Sequence, residues 1–446
     1  MNITINISKV QHINEMSFSL DLTKNKITCI VGKNGIGKTT FIKSIKNLQS
    51  ADIFIKTSSR YIFNQESRIE YLINNDVITY IYNSNLKVID TKSIVPEEVK
   101  SNIFVELPIP YGDRFNSFPT LSKIDTDLRK CIAFQTYEIP SELINMLNSV
   151  YKTDVYKNLK SFKVKKNNYY FRLNENGYYI REDYFSSGEF FIINLYRMIE
   201  CKRKCIIIDE IDISLDSSAQ VELVNLLREF CDKYNLNIIF TTHSLALMKT
   251  LNDDELYYMY KEGNKTMISK RSYNFIKSSL FAFKGWDKYI LTEDETLQDY
   301  LEYIIDKNNN SYFYKYKIIY IGGATNVVNL MKRNEKEEFL TKPENVICVL
   351  DGDQAHLKHV YKNSNVYCIP FQSIEKDIYS AYQTDLTIPR VTVTATKELE
   401  KKVYKTLVKT YNNGWSKATV FNYLDKKMPL ESENFKKTII NFLKAK

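Results

Sequence analysis

The segment Gly32-Lys33-Asn34-Gly35-Ile36-Gly37-Lys38-Thr39-Thr40 constrains this chain more than any other. It lies between KITCIV, an apolar run of the fully buried strand type, and TTFIKSIKNL, whose apolar spacing is helical. A strand, a glycine-rich turn and a helix in that order form a phosphate cradle. The glycines let backbone N–H groups wrap the anion, and the helix N-terminus adds a favourable dipole. Lys38 is placed to reach the outer phosphates of ATP and Thr39 to ligate magnesium, with Gly32, Asn34, Gly35, Gly37 and Thr40 completing the binding set.

A second carboxylate-bearing strand belongs with that loop. Four apolar residues lead into Asp209 and Glu210 in CIIIDE, where Asp209 can hold magnesium through water and Glu210 can orient or deprotonate the attacking water. Three further motifs then resemble those of the ABC-type ATPases. FSSGE, with Ser186, Ser187, Gly188 and Glu189, resembles their signature, although Phe185 stands where Leu is usual and Ser187 where Gly is usual. ISLD, ending in Asp216, resembles the D-loop, and TTHS, with His243, resembles the switch histidine. The resemblance implies ATP sandwiched between the loop of one head and the signature of another, hence a homodimer or larger homo-oligomer. Gln65 and Gln135 are the candidates for a Q-loop glutamine, and each reads as solvent-exposed.

An acidic set occupies the last third of the chain. Glu293 ends the apolar run KYILT, and Asp351 and Asp353 follow the run VICVL as Asp-Gly-Asp. Carboxylates at the carboxyl edge of a parallel sheet suit magnesium, and Gly352 permits the tight turn between the two aspartates. In order and spacing these residues resemble the TOPRIM domain of the OLD (overcoming lysogenisation defect) family. IIYIGGATNVV and IPFQSIEKDIY, with Glu375, supply further likeness. The family's first motif carries a glycine after the glutamate; here the run is Glu293, Asp294, Glu295. The resemblance implies a nuclease site of Glu293, Glu295, Asp351, Asp353 and Glu375 binding Mg2+ or Mn2+, with Lys417 neutralising charge on the cleaved phosphate.

Alternating strands and helices from Phe185 to Met248, and again from Lys288, predict an α/β chain. The expected architecture is an ABC-type P-loop ATPase head over residues 1–275 with a variable, helical insertion at about 50–180. A TOPRIM-like Rossmannoid parallel sheet follows over 286–390, then a helical C-terminal region over 391–446. Within the insertion, YIFNQESRIEYLI and PSELINMLNSVYKTDVYKNLKSF read as helical, IVPEEVKSNIFVELPIPYG as extended, and NNYYFRLNENGYYI as a hairpin turning at Asn176 and Gly177. No heptad repeat runs through it, which excludes a long coiled-coil arm.

A length of 446 residues suits two domains or more. The net charge of +9 permits a polyanionic partner without demanding one. Seven scattered cysteines without a CxxC pair read as buried free thiols of a reducing, cytoplasmic compartment, and no stretch has membrane-spanning length. The order of ABC-type head, TOPRIM-like domain and helical tail resembles the OLD family and related anti-phage ATPase-nucleases of the Gabija, PARIS and retron-associated groups. The resemblance implies an ATP-gated, metal-dependent nuclease in anti-phage defence, acting on DNA or RNA, with room for a partner protein from the same system. The alternatives are an ATPase sensor that sequesters and releases a separate effector through a non-catalytic TOPRIM domain, and a DNA-repair ATPase of the SMC or RecF kind.

Overall fold

The computed structural model describes residues 1–445 except 75, 109–117, 166, 282–284, 309–311, 394–397 and 410–414. It divides into two compact units, Met1–Tyr273 and Asn274–Lys446. The fold is α/β, with a large sheet in the first unit and a helical C-terminal region in the second.

The described part of the first unit is built on an eleven-stranded sheet. Its parallel half runs Ile103–Glu106, Cys205–Ile208, Asn237–Thr241, Ile27–Gly32 and Leu256–Glu262. Every residue of Ile27–Gly32, Cys205–Ile208 and Asn237–Thr241 is buried, as a sheet covered on both faces requires. The other half is largely antiparallel and begins with the hairpin of Asn2–Val10 and Ile13–Asp21. Its alternation is plain: Ile3, Ile5 and Ile7 are fully buried while their neighbours are not.

Segment 61–73 departs from the helical expectation. After a short turn, Arg68–Ile73 is a strand paired with Asn2–Val10, and Ile69, Tyr71 and Ile73 enter the core at period two. The expected helix at 140–162 stops at Tyr151, where Lys152 turns left-handed at φ 49°, and Leu159–Val164 is a strand. The extended reading of 94–112 fails at Glu97–Asn102, which is helical after Pro96; it holds at Ile103–Glu106, and residues 109–112 lie outside the described ones. The segment from 50 to 180 is therefore a mixture of strands and helices. It includes a three-stranded antiparallel sheet, Leu159–Val164, Asn167–Leu173 and Tyr179–Arg181, whose last two strands join through Gly177 at φ 77° as expected.

The second unit centres on a four-stranded parallel sheet in the spatial order Tyr316–Tyr320, Lys288–Thr292, Val346–Leu350, Val366–Cys368. Numbered along the chain this is 2-1-3-4, so the winding reverses between the first strand and the third. Ligands of open α/β sheets sit at such a reversal, outside the carboxyl ends of the strands. One helical layer, Ala324–Glu337, packs on one apolar cluster. Helices Glu295–Lys307, Ile374–Thr384, Leu399–Lys409, Lys417–Lys427 and Pro429–Lys444 share another, so the C-terminal helices belong to the same core as the sheet. Lys288, almost wholly buried, ties down the last of them by donating to the carbonyls of Phe442 and Ala445 at 2.5 and 2.6 Å.

Five of the seven thiols are buried, but Cys201 is exposed and Cys368 partly so. Among the described residues no helix is long and apolar enough to cross a membrane.

Candidate functional site

The glycine-rich loop leaves the central strand Ile27–Gly32 and enters the helix Lys38–Lys46. Gly37 has φ 114°, a conformation closed to other residues, and a Cβ there would stand 2.7 Å from Ile13 Cγ1. Lys38 is buried and its ammonium donates to the carbonyls of Gly32 at 2.8 Å and Lys33 at 3.3 Å. Burial lowers its pKa, against the pull of Asp209 and Glu210. Thr39 is half-buried, and the Thr40 hydroxyl donates to Gln11 Oε1 at 2.8 Å, so Thr40 serves the loop's support in this arrangement.

Asp209 and Glu210 end the strand Cys205–Ile208, two strands from the loop. Thr241 organises both: its hydroxyl donates to Asp209 Oδ1 and accepts from the Glu210 N–H at 2.8 Å. Asp209 Oδ2 is buried with no partner among the described residues, an orphaned acceptor of the kind a hydrated magnesium ion would satisfy. Glu210 is in the left-handed region at φ 57°, and burial, Asp209 and Asp212 raise its pKa. His243 has a lowered pKa from partial desolvation and the Lys38 charge, which keeps the imidazole neutral near pH 7. Gln65 and Gln135 are both exposed, and Gln135 ends a helix.

The signature segment forms a helix start. Ser186 caps Ser187–Glu200: its hydroxyl accepts from the Glu189 N–H at 3.2 Å, and Glu189 Oε2 accepts from the Ser186 N–H at 2.8 Å. The other oxygen of Glu189 accepts from Tyr156 Oη at 2.8 Å and from Arg172. Glu189 therefore holds the helix start in place, and Ser186 and Ser187 are exposed there. Gly188 packs where a Cβ would lie 2.5 Å from Tyr151 Oη. Asp216 caps the helix Ser217–Tyr234, accepting from Ser218 and Ala219 N–H at 2.9 and 3.0 Å.

In the second unit Glu293 and Asp351 meet at the winding reversal. Glu293 Oε1 accepts from the Asp351 N–H at 2.9 Å, so the two strand ends are bonded to each other. Asp353 is turned elsewhere: its Oδ2 accepts from Lys376 Nζ at 2.6 Å and its Oδ1 from Gln354 at 2.8 Å. Partial burial would raise its carboxyl, but those partners hold it below the usual range. Glu375 is buried with a raised pKa, chiefly from burial. Glu295 is exposed on the first turn of its helix, and the glycine-less motif has a local use, because Asp294 caps that helix by accepting from the Leu297 N–H at 2.9 Å. Lys417 pairs at 2.5 Å with Asp299, one turn beyond Glu295. Among the described residues no three acidic, histidine or cysteine side chains are grouped closely enough to hold one ion.

Gly352 is required by contact. Its N–H donates to Phe371 O at 3.0 Å, and a Cβ would collide with that oxygen and stand 2.8 Å from Ile369 O. Gly352→Ala is expected to destabilise the second unit by about 3 kcal/mol, read as a lower urea midpoint, since backbone on both sides must move.

Asp351 is the most perturbed of the acids. Burial first, then Glu293, Asp294, Glu375 and Asp353, push its pKa up to about 8. A folded-state value above the unfolded one means its contribution to stability is complete below the ordinary carboxylate range and is lost as pH rises through 8. Metal-free protein should therefore melt at lower temperature at pH 8.5 than at pH 5.5. Mg2+ should raise the melting temperature more at the higher pH, because cation and proton compete. A pH-independent effect of Mg2+, or an Asp351→Asn variant with the same profile, would contradict this.

Sequence inspection missed Thr241, Gln11, Arg172 and Lys376. Each acts by supporting a motif residue from a distant segment, although Lys376 stands directly beside Glu375.

The family model described as ABC transporter matches residues 16–212. A probable ABC transporter ATP-binding protein, p29, of Mesomycoplasma hyorhinis is 23% identical over 280 residues, 62% of this chain and 90% of that protein. An oligopeptide transport ATP-binding protein, OppF, of Mycoplasma genitalium is 36% identical over 67 residues, which is 15% of this chain and 8% of that protein. The SMC head domain from Thermotoga maritima aligns with a TM-score of 0.36 at 15% identity, covering 61% of this chain and 100% of that one. An SmcHead bound to the C-winged helix domain of ScpA aligns with a TM-score of 0.40 at 12% identity, covering 60% and 97%. With the matched family and the geometry around Lys38, Asp209 and Glu210, the first unit carries an ABC-type P-loop ATPase domain.

Proposed function

We propose that this chain is an ATP-controlled, metal-dependent nuclease of the OLD type, working in the cytoplasm against phage and other mobile DNA. The observation that carries the reading is the bonded pair Glu293 and Asp351 at the winding reversal of the second sheet, where burial first and the neighbouring acids second push the Asp351 pKa up to about 8. Crowded carboxylates at such an edge favour a divalent cation, which would relieve their repulsion.

In the first unit, Thr39 and Asp209 would hold magnesium beside the ATP phosphates. Lys38 draws charge from the outer phosphates, Glu210 orients the water, and the neutral His243 donates its ring N–H to a γ-phosphate oxygen. Ser186 and Ser187 of a second copy would close the site across a homodimer. In the second unit, Glu293 and Asp351 would hold Mg2+ or Mn2+, which polarises the scissile phosphodiester when bound. Asp353 would join them on leaving Lys376, and the family resemblance adds Glu295, Glu375 and Lys417 to the set. DNA or RNA is the substrate.

A second reading is favoured by the Lys376–Asp353 pair, which removes one acid from the set. In it, the second unit docks an effector protein and the ATPase releases it. Incubating the purified chain with plasmid DNA and with transfer RNA, with Mg2+, Mn2+ or EDTA and with or without ATP, separates the two. Metal-dependent cleavage of either nucleic acid supports the nuclease; ATP hydrolysis without cleavage supports the docking role.

A further inference from the structure

We infer that the second unit carries a separate binding cleft for an amine-bearing nucleobase with its phosphate, as presented by single-stranded nucleic acid. The inference rests on the nucleic-acid reading above but concerns a different place. The cleft, of about 380 Å³, opens at the amino ends of the strands Lys288–Thr292 and Tyr316–Tyr320. Five residues at about 3.3 Å each put it roughly 17 Å along the strand from Glu293.

Its walls have the chemistry of base recognition. Trp286, Tyr314, Tyr316 and Phe275 supply aromatic rings, Lys315 and Lys317 supply charge, and Glu302 and Asp306 supply carboxylates. Lys315 Nζ lies 4.4 Å and Lys317 Nζ 5.4 Å from the centre of the Trp286 ring. Both ammoniums lie over the ring, so a base stacking on Trp286 would displace Lys317 toward the phosphate that follows. Stacking of this kind contributes about 1–3 kcal/mol per base. Glu302 and Asp306, both exposed, can accept from an exocyclic amine, which adenine and cytosine have and thymine lacks.

The walls are also braced from behind. Asp287 accepts from Asn274 Nδ2 at 3.0 Å and from the Lys315 N–H at 2.8 Å. Lys315 Nζ donates to Ser278 Oγ at 2.6 Å, and the buried Lys288 ammonium lies 4.8 Å from the Tyr314 ring. Lys317 Nζ, by contrast, has no hydrogen-bond or ion-pair partner among the described residues and lies over the Trp286 ring, so it is the cation able to turn to a phosphate.

The chain has two tryptophans, Trp286 and Trp415, so Trp415→Phe leaves one reporter in the cleft. Titrating that full-length variant with dA10, dC10, dT10 and AMP in EDTA should quench Trp286 saturably with dA10 and dC10, at least about fivefold more tightly than with dT10. Adding Lys317→Glu should weaken dA10 about tenfold. AMP as tight as dA10 would support the cleft and assign it to a free nucleotide; weaker AMP would assign it to a strand. No quench with any probe, or equal affinity for dT10, overturns the inference. If Trp415→Phe does not fold, anisotropy of labelled dA10 with the wild-type chain against Lys317→Glu tests the same contact, and equal binding by the two overturns the inference. Because no metal is present, a missing cleavage activity leaves this result untouched, and failed binding here leaves the acidic site untouched.

Discussion

Glu210→Gln should bind ATP as the wild type does and hydrolyse it about 10²–10⁴-fold more slowly, the usual worth of a positioned general base. The residue has the conformation and the chemistry for that role. Its backbone is held in the left-handed region with the N–H bonded to Thr241, so the side chain is aimed by the fold. Burial and the neighbouring Asp209 and Asp212 raise its proton affinity toward working pH. The amide keeps size and hydrogen bonding but cannot take a proton, so ATP should persist in the site. Steady-state hydrolysis and binding of a fluorescent ATP analogue measure the two halves. Light scattering on the same variant should show an ATP-dependent dimer. Hydrolysis within about threefold of wild type would remove Glu210 from the role and leave His243 as the group to test.

Asp351→Asn combined with Asp353→Asn should abolish nucleic-acid cleavage, by on the order of 10²–10³-fold or more, while ATP hydrolysis stays within about twofold. Several kcal/mol of transition-state stabilisation from a bound cation corresponds to that loss. The two residues should not contribute equally. Asp351 is bonded to Glu293 and crowded by acids, whereas Asp353 already has the Lys376 ammonium, so the single change at Asp351 should be the more damaging. Asparagine is preferred to alanine because it keeps the size of the carboxylate while removing its charge. Cleavage that survives the double change would place the chemistry elsewhere, and the docking role would then become the better reading.

The two sites were not equally legible in the sequence. Around Lys38 the requirement is local: a loop of consecutive residues binds phosphate with its own backbone, so Gly32 to Thr40 announce themselves. Asp209 and Glu210 end a short apolar run, His243 follows one after two threonines, and their order along the chain is itself a signal. The acidic site was legible only in part. Glu293 and Asp351 were evident as strand-end carboxylates, but the pairing of Asp353 with Lys376 and the capping by Asp294 were not, because side-chain partnerships depend on rotamers and neighbours.

Secondary structure shows the same division. Ile27–Gly32 and Cys205–Ile208 are apolar throughout and could be recognised alone. Arg68–Ile73 and Leu159–Val164 could not, because a short amphipathic run fits either period until a partner strand chooses. For Arg68–Ile73 that partner is Asn2–Val10, some sixty residues away. By itself, then, the sequence determined the α/β class, the phosphate loop and the strand-end carboxylates, all features carried by contiguous residues and period. Only the tertiary structure decided the 2-1-3-4 strand order that brings Glu293 to Asp351, the Thr241 contact that orients Asp209 and Glu210, and the shared core that joins the C-terminal helices to the second sheet. Those depend on non-local burial, whose free energy is gained only when distant segments meet.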